Sequence, residues 1–170
     1  MSRYPATQRG ILIVDPRPHM AGLVATMLRA IGRTGIREVN DGNAALLELG
    51  RQAFDVIIID DAIARPDALD IVRRLRTTPG ALNGHTPVIM TSAAPDAAGI
   101  TAARDAGVTE FLRKPFAASH LRARLDAIEA SPRAFVETSG FIGPDRRRRT
   151  AEPPEGERRA SGATPTSRPD

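Results

Sequence analysis

The chain has 170 residues, 41% of them apolar, with a formal net charge of +4 and a sequence pI near 10.8; this length suits one domain of roughly 100–150 residues plus an appendage, not two full domains. No stretch approaches the ~20 apolar residues that cross a bilayer, the N-terminus lacks a signal-peptide pattern, and cysteine is absent. Disulfides, thiolate metal sites and thiol nucleophiles are thereby excluded, and a cytoplasmic protein without membrane insertion is predicted.

The basic residues are almost all arginine, Lys114 being the only lysine. Residues 1–131 carry 16 Arg+Lys against 14 Asp+Glu, and residues 132–170 carry 8 against 6, so each part is net +2. Local clustering, not global charge, is therefore the informative quantity.

Ile11-Leu12-Ile13-Val14 is a continuous apolar run ending at Asp15, the pattern of a strand buried on both faces. Met20, Leu23, Val24, Met27, Leu28 and Ile31 then form one helical stripe, opened by Pro18 and stopped by Gly32. Ile36 to Val39 predicts a second strand, and Asn43 is the expected cap of a helix through Leu46, Leu47 and Leu49.

The rhythm continues with a strand over 55–60 ending at Asp60 and a helical stripe through Leu69, Val72 and Leu75. A fourth strand runs from Pro87 to Met90 into Thr91-Ser92, and a helix over 98–106 ends at Gly107. Phe111-Leu112 closes the set before a last helix lined by Leu121, Leu125 and Ile128. Five βα units call for an α/β fold, a doubly wound five-stranded parallel sheet with helices on both faces, because parallel strands need right-handed crossovers.

From Pro132 the character changes. Phe135, Val136, Phe141 and Ile142 are followed by Gly143-Pro144-Asp145 and the run Arg146-Arg147-Arg148-Arg149. Residues 150–170 have Ala as their only apolar type and are expected to be disordered, since they offer too little burial to offset ordering entropy.

In an open α/β sheet functional groups gather beyond the carboxyl ends of the strands. Asp15, Asp60, Ser92 and Lys114 come from four such ends and are predicted to share one crevice, where the Lys114 cation offsets the repulsion of two carboxylates. His19, His85 and His120 lack metal-ligand spacing and are expected on the surface.

This pattern resembles the receiver domain of bacterial response regulators, of which the chemotaxis signalling protein is the minimal example. The resemblance spans residues 10 to 130 and rests on Ile13-Val14-Asp15, Asp60 with Asp67 seven residues on, Ser92-Ala93, Phe111 and Lys114-Pro115-Phe116. It implies the flavodoxin-like strand order 2-1-3-4-5. It also implies that Asp60 accepts a phosphoryl group, Ser92 hydrogen-bonds it, Lys114 ion-pairs with it, and Phe111 is the aromatic that reports the change.

Receivers normally carry two adjacent acids after the first strand, the second a direct Mg²⁺ ligand; here that place is Pro16. Ala64 and Ala68 stand where the family usually has proline and glycine. Asp61 cannot replace the missing acid, because adjacent strand residues face opposite ways. Hard Mg²⁺ needs oxygen ligands and phosphoryl transfer depends on the metal, so both are expected to be weakened. Arg17 or Arg65 is expected to enter the pocket in place of the metal, and Mg²⁺ is expected only if phosphorylation is the working signal.

The run of four arginines beside Asp145, Phe141 and Gly143 suits a guanine-containing anion: arginine forks onto phosphate, pairs with guanine O6 and N7 and stacks on bases, while a carboxylate accepts from guanine nitrogens. Residues 133–149 resemble the arginine-rich extension of the chemotaxis-protein-like cyclic di-GMP effectors, the Cle group. That resemblance implies a ligand site of Phe141, Gly143, Pro144, Asp145, Arg146, Arg147, Arg148 and Arg149. It also implies that cyclic di-GMP orders the extension, and that the liganded protein engages the flagellar motor switch or related machinery at a cell pole or flagellar base.

The expected organisation is an N-terminal arm over 1–9, a receiver over 10–131, an arginine-rich ligand-binding extension over 132–149 and a disordered tail over 150–170. The expected function is non-enzymatic, a cyclic di-GMP effector controlling motility or surface attachment. The alternative is a response regulator phosphorylated on Asp60 by a histidine kinase. A nucleic-acid partner is disfavoured because residues 1–131, at net +2, add little basic surface to the arginine run.

Overall fold

In the computed structural model, which describes residues 9–132, 134–138 and 141–145, the apolar runs become strands β1 (Ile11–Val14), β2 (Ile36–Val39), β3 (Val56–Asp60), β4 (Val88–Ser92) and β5 (Glu110–Arg113). They form one parallel sheet in the order β2-β1-β3-β4-β5, the doubly wound order expected. The three inner strands are buried along their whole length, whereas the edge strand β2 reads Ile-Arg-Glu-Val with only its ends half-buried. Burial on two faces explains why the inner strands need continuous Ile and Val.

Side-chain alternation divides the core. Leu12, Val14, Ile57, Ile59 and Met90 face one layer with α2 (Gly42–Arg51), α3 (Ala68–Thr77) and α4 (Ala97–Ala106). Ile11, Ile13, Ile58 and Ile89 face the other with α1 (Pro18–Ala30) and α5 (Ala118–Ala130). Each fully buried aliphatic side chain contributes about 1.5–3 kcal/mol of transfer free energy. Phe111 is half-buried against the first layer.

Three helices start on an aspartate: Asp41, Asp67 and Asp96 accept from Ala44, Asp70 and Gly99 backbone N–H groups. The expected cap Asn43 is therefore corrected to Asp41, and Asn43 lies inside the first turn. The earlier start is possible because position 42 is glycine: a Cβ there would lie 2.3 Å from the Pro66 carbonyl oxygen, so only glycine lets this helix end touch the β3–α3 loop.

The extension carries two strands of its own. Its apolar pairs form an antiparallel hairpin, β6 (Phe135–Thr138) and β7 (Phe141–Pro144), with Val136 opposite Gly143. β7 packs on α3 and α4. This part of the extension thus packs its apolar side chains against the body. The disorder expected for 150–170, the run Arg146–Arg149 and residues 1–8 of the arm lie outside the described residues.

Candidate functional site

Strand register sets the crevice. Val14 is opposite Ile59, Asp60 opposite Thr91 and Ser92 opposite Arg113, so Asp15, Asp60, Ser92 and Lys114 reach the same carboxyl edge. All four are buried. Lys114 Nζ lies 2.9 Å from Asp15 Oδ2 and donates as well to Asp60 Oδ2, bridging the carboxylates as expected. Its backbone N–H donates to the Ser92 carbonyl at 2.8 Å, which ties the lysine to the end of β4.

Asp60 collects further donors. The Thr91 hydroxyl donates to Oδ2 at 3.0 Å and the Ala62 N–H to Oδ1 at 3.2 Å. Ser92, the hydroxyl singled out from sequence, is 1% exposed and its Oγ accepts from the Ala94 N–H at 3.3 Å. Thr91 escaped the sequence reading because two hydroxyl residues stand side by side there. The signal that finds it is register, since it is the direct cross-strand partner of Asp60.

Of the two arginines named from sequence, Arg17 is the one that reaches the crevice. Its guanidinium lies 3.5 Å from Asp15 Oδ1 and 3.7 Å from Asp60 Oδ1, and the Arg17 backbone N–H donates to Asp15 Oδ1 at 2.9 Å. Arg65 is exposed on the β3–α3 loop, and Asp67 serves as the α3 cap. Asn40, also unforeseen, donates to the Asp15 carbonyl at 2.9 Å and steadies the loop that carries Arg17.

A hard divalent cation requires several oxygen ligands in near-octahedral order. Here two carboxylates are available, Pro16 supplies no side-chain oxygen, and both carboxylates are already bridged by Lys114 and approached by Arg17. Among the described residues no group of three or more His, Cys, Asp or Glu is placed to hold a metal ion. Asp15 and Asp60 are the carboxylates that would hold a hydrated Mg²⁺, with one oxygen ligand fewer than an acid at position 16 would give and with the Arg17 guanidinium competing for the same oxygens.

The remaining expected residues lie elsewhere. His19, His85 and His120 are exposed; His85 stacks near Phe135 and His120 Nδ1 accepts from the Ala117 N–H. Gly143 and Pro144 are buried in β7, Phe141 and Asp145 are half-buried, and the Asp145 N–H donates to the Ala134 carbonyl at 2.7 Å across the open end of the hairpin. Among the described residues no helix is long and apolar enough to cross a membrane.

Comparison with known proteins agrees with this geometry. The family model described as the response regulator receiver domain matches residues 11–126. The chemotaxis protein CheY-3 of Vibrio cholerae is 33% identical over 118 residues, covering 69% of this chain and 89% of that protein. The chemotaxis protein CheY of Pseudomonas aeruginosa is 32% identical, covering 69% and 94%. Among solved structures, the receiver domain of the sensor histidine kinase PA1611 from P. aeruginosa, with a magnesium ion in its active-site cleft, matches at TM-score 0.65 and 26% identity over 74% of this chain and 100% of that one. V. cholerae CheY4 matches in fold at TM-score 0.65 and 24% identity, covering 72% and 99%.

Proposed function

Because this chain belongs to the response regulator receiver domain family, we propose that it is a receiver turned into a second-messenger effector: it binds cyclic di-GMP through residues 141–149 and then docks on the flagellar motor switch or related machinery. The observation that carries this reading is the Arg17 guanidinium, 3.7 Å from Asp60 and beside Pro16 where the family's second acid is missing. A crevice neutralised by its own side chains is a poor metal-dependent phosphoryl switch. Signal entry then falls to the extension, with no small-molecule turnover and with recruitment from the cytoplasm to a pole or flagellar base.

The energetics permit it. Hydrogen bonds to charged groups contribute about 1.5–3 kcal/mol each, against about 2–5 kcal/mol for ordering a segment on binding. Calorimetric titration with cyclic di-GMP tests the site: the double substitution Arg147→Ala, Arg148→Ala abolishes binding while the receiver stays folded, and undiminished affinity in that variant refutes it.

One set of contacts favours a second reading, phosphorylation of Asp60 by a histidine kinase. Asp60 is buried at a strand end with Lys114 and Thr91 donating to it, an arrangement that also suits a phosphoacceptor. Under that reading Mg²⁺ displaces Arg17, and NMR titration of the crevice amides saturates at millimolar Mg²⁺. Crevice amides that stay unmoved leave the effector reading in place.

A further inference from the structure

The hairpin that follows α5 is seated by β7 and by one ring of β6. A Cβ at Gly143 would stand 3.1 Å from the Gly107 Cα, so glycine lets β7 lie backbone to backbone on the residue that ends α4. The Phe135 ring centroid is 4.9 Å from the guanidinium carbon of Arg76. Arg76 is itself 5% exposed and fixed, its fork donating to the Gly107, Gly84 and Thr86 carbonyls at 2.8–3.2 Å. Those carbonyls belong to the loops that enter β4 and β5, at the sheet edge opposite the crevice. Among the described residues, β6 has β7 as its one strand partner.

Backbone register decides which groups of the hairpin face outward. The Asp145 N–H donates to the Ala134 carbonyl, so 134 and 145 form a hydrogen-bonded pair. The alternation of an antiparallel ladder then makes Val136–Gly143 and Thr138–Phe141 the next such pairs. The N–H and C=O groups of Phe135 and Glu137 therefore point away from β7, and those of residues 142 and 144 point away from β6. The two edges are unlike. Pro144 has no N–H to offer, and β7 lies against α3 and α4. On β6 both Phe135 and Glu137 present a donor and an acceptor, and among the described residues no backbone group bonds to them from outside. Ala134, Glu137 and Thr138 are exposed, and neither proline nor lysine stands within 134–138 to blunt this edge.

We propose that the outer edge of β6 pairs with β6 of a second copy of this chain, antiparallel about a two-fold axis at Val136, so that two hairpins join into one sheet ordered β7-β6-β6-β7. Register selects this partner. Phe135 and Glu137 must fall in hydrogen-bonded pairs across the new seam, which limits the axis to position 135, 136 or 137. An axis at Glu137 sets two carboxylates directly opposite each other, a destabilising pair. An axis at Phe135 matches only 134–136. An axis at Val136 matches all of 134–138 and places Glu137 opposite the second copy's Phe135. It also brings the two Val136 side chains into the closest kind of cross-strand contact. Pairing of a strand with its own copy is isologous and closes at two chains. A two-stranded hairpin gains by becoming part of a wider sheet. The strands are short, so association is weak and depends on concentration.

The chain has no cysteine, which makes single cysteine substitutions clean probes of the seam. In the full chain carrying Val136→Cys, oxidised glutathione yields a disulfide-linked dimer, because Cα atoms about 4.5 Å apart lie within disulfide reach. Thr138→Cys does not cross-link, since its counterpart is about 14 Å away, a displacement of four residues along the strand. In sedimentation equilibrium the mass of the unsubstituted chain rises with concentration from 18.2 kDa toward twice that value. Glu137→Pro removes an N–H that the hairpin does not use, and association weakens at least about tenfold because both copies lose a bond. A chain that stays monomeric up to millimolar concentration leaves the edge to some other strand and overturns the proposal. Cross-linking of Thr138→Cys as readily as Val136→Cys overturns it too, as does association unmoved by Glu137→Pro. Should the proline disturb the hairpin itself, the two cysteine variants decide.

Discussion

Two buried cations hold opposite edges of the sheet by opposite chemistry. Lys114 sits between the carboxylates of Asp15 and Asp60, with Arg17 added from outside, so that edge is balanced charge for charge. Among the described residues Arg76 meets backbone carbonyls and an aromatic ring, so the other edge holds a positive charge spread over neutral partners. The balanced edge is closed by side-chain charges that face one another. The neutral-lined edge draws a π face, and the extension supplies it.

The largest effect is expected where charge compensation is lost. Lys114→Met leaves two adjacent buried carboxylates without their shared cation and lowers stability by about 3–5 kcal/mol, read from urea unfolding. A loss below about 1 kcal/mol would mean that Arg17 alone neutralises the pair. Arg76→Lys keeps the charge but not the fork, so it strands carbonyl acceptors and costs about 1–3 kcal/mol in the same assay. Any hairpin loosening belongs to this substitution and not to Lys114→Met, which is what separates the two edges.

Changing the crevice's metal logic sharpens the contrast further. Pro16→Asp with Arg17→Ala supplies the missing oxygen and removes the guanidinium, so Mg²⁺ affinity rises at least about tenfold, or about 1.4 kcal/mol, in NMR titration. No gain would show that Arg17 is not what stands in the metal's way. Thr91→Val is milder: it removes one of several donors to Asp60 and costs about 1 kcal/mol. Alkaline titration gives the smallest signal. Because burial holds the Arg76 pKa near 10, below its ordinary value, the unfolded chain binds the proton more tightly, and stability rises as pH climbs above about 10.

The sheet was legible because each strand is an apolar run ended by a polar residue, and the crevice because those ends coincide: Asp15, Asp60 and Lys114 needed only the topology. The choice between Thr91 and Ser92 needed register, which composition does not carry. Asn43 reads as a cap because a helix stripe follows it, although Asp41 two residues earlier offers the stronger acceptor. Arg76 hid for a different reason. It stands four residues after Val72 on the apolar arc of α3, but a charged residue there reads as surface until its carbonyl partners are known. The hairpin hid too, because two-residue apolar pairs carry no strand period, and only the register of β6 on β7 shows that they pair.

The bond from Asp145 to Ala134 closes the mouth of the hairpin, so the chain enters and leaves it at one point. In engineering terms residues 135–144 are a removable cassette. Joining 134 directly to 145 would excise it while leaving Asp145 beside Ala134.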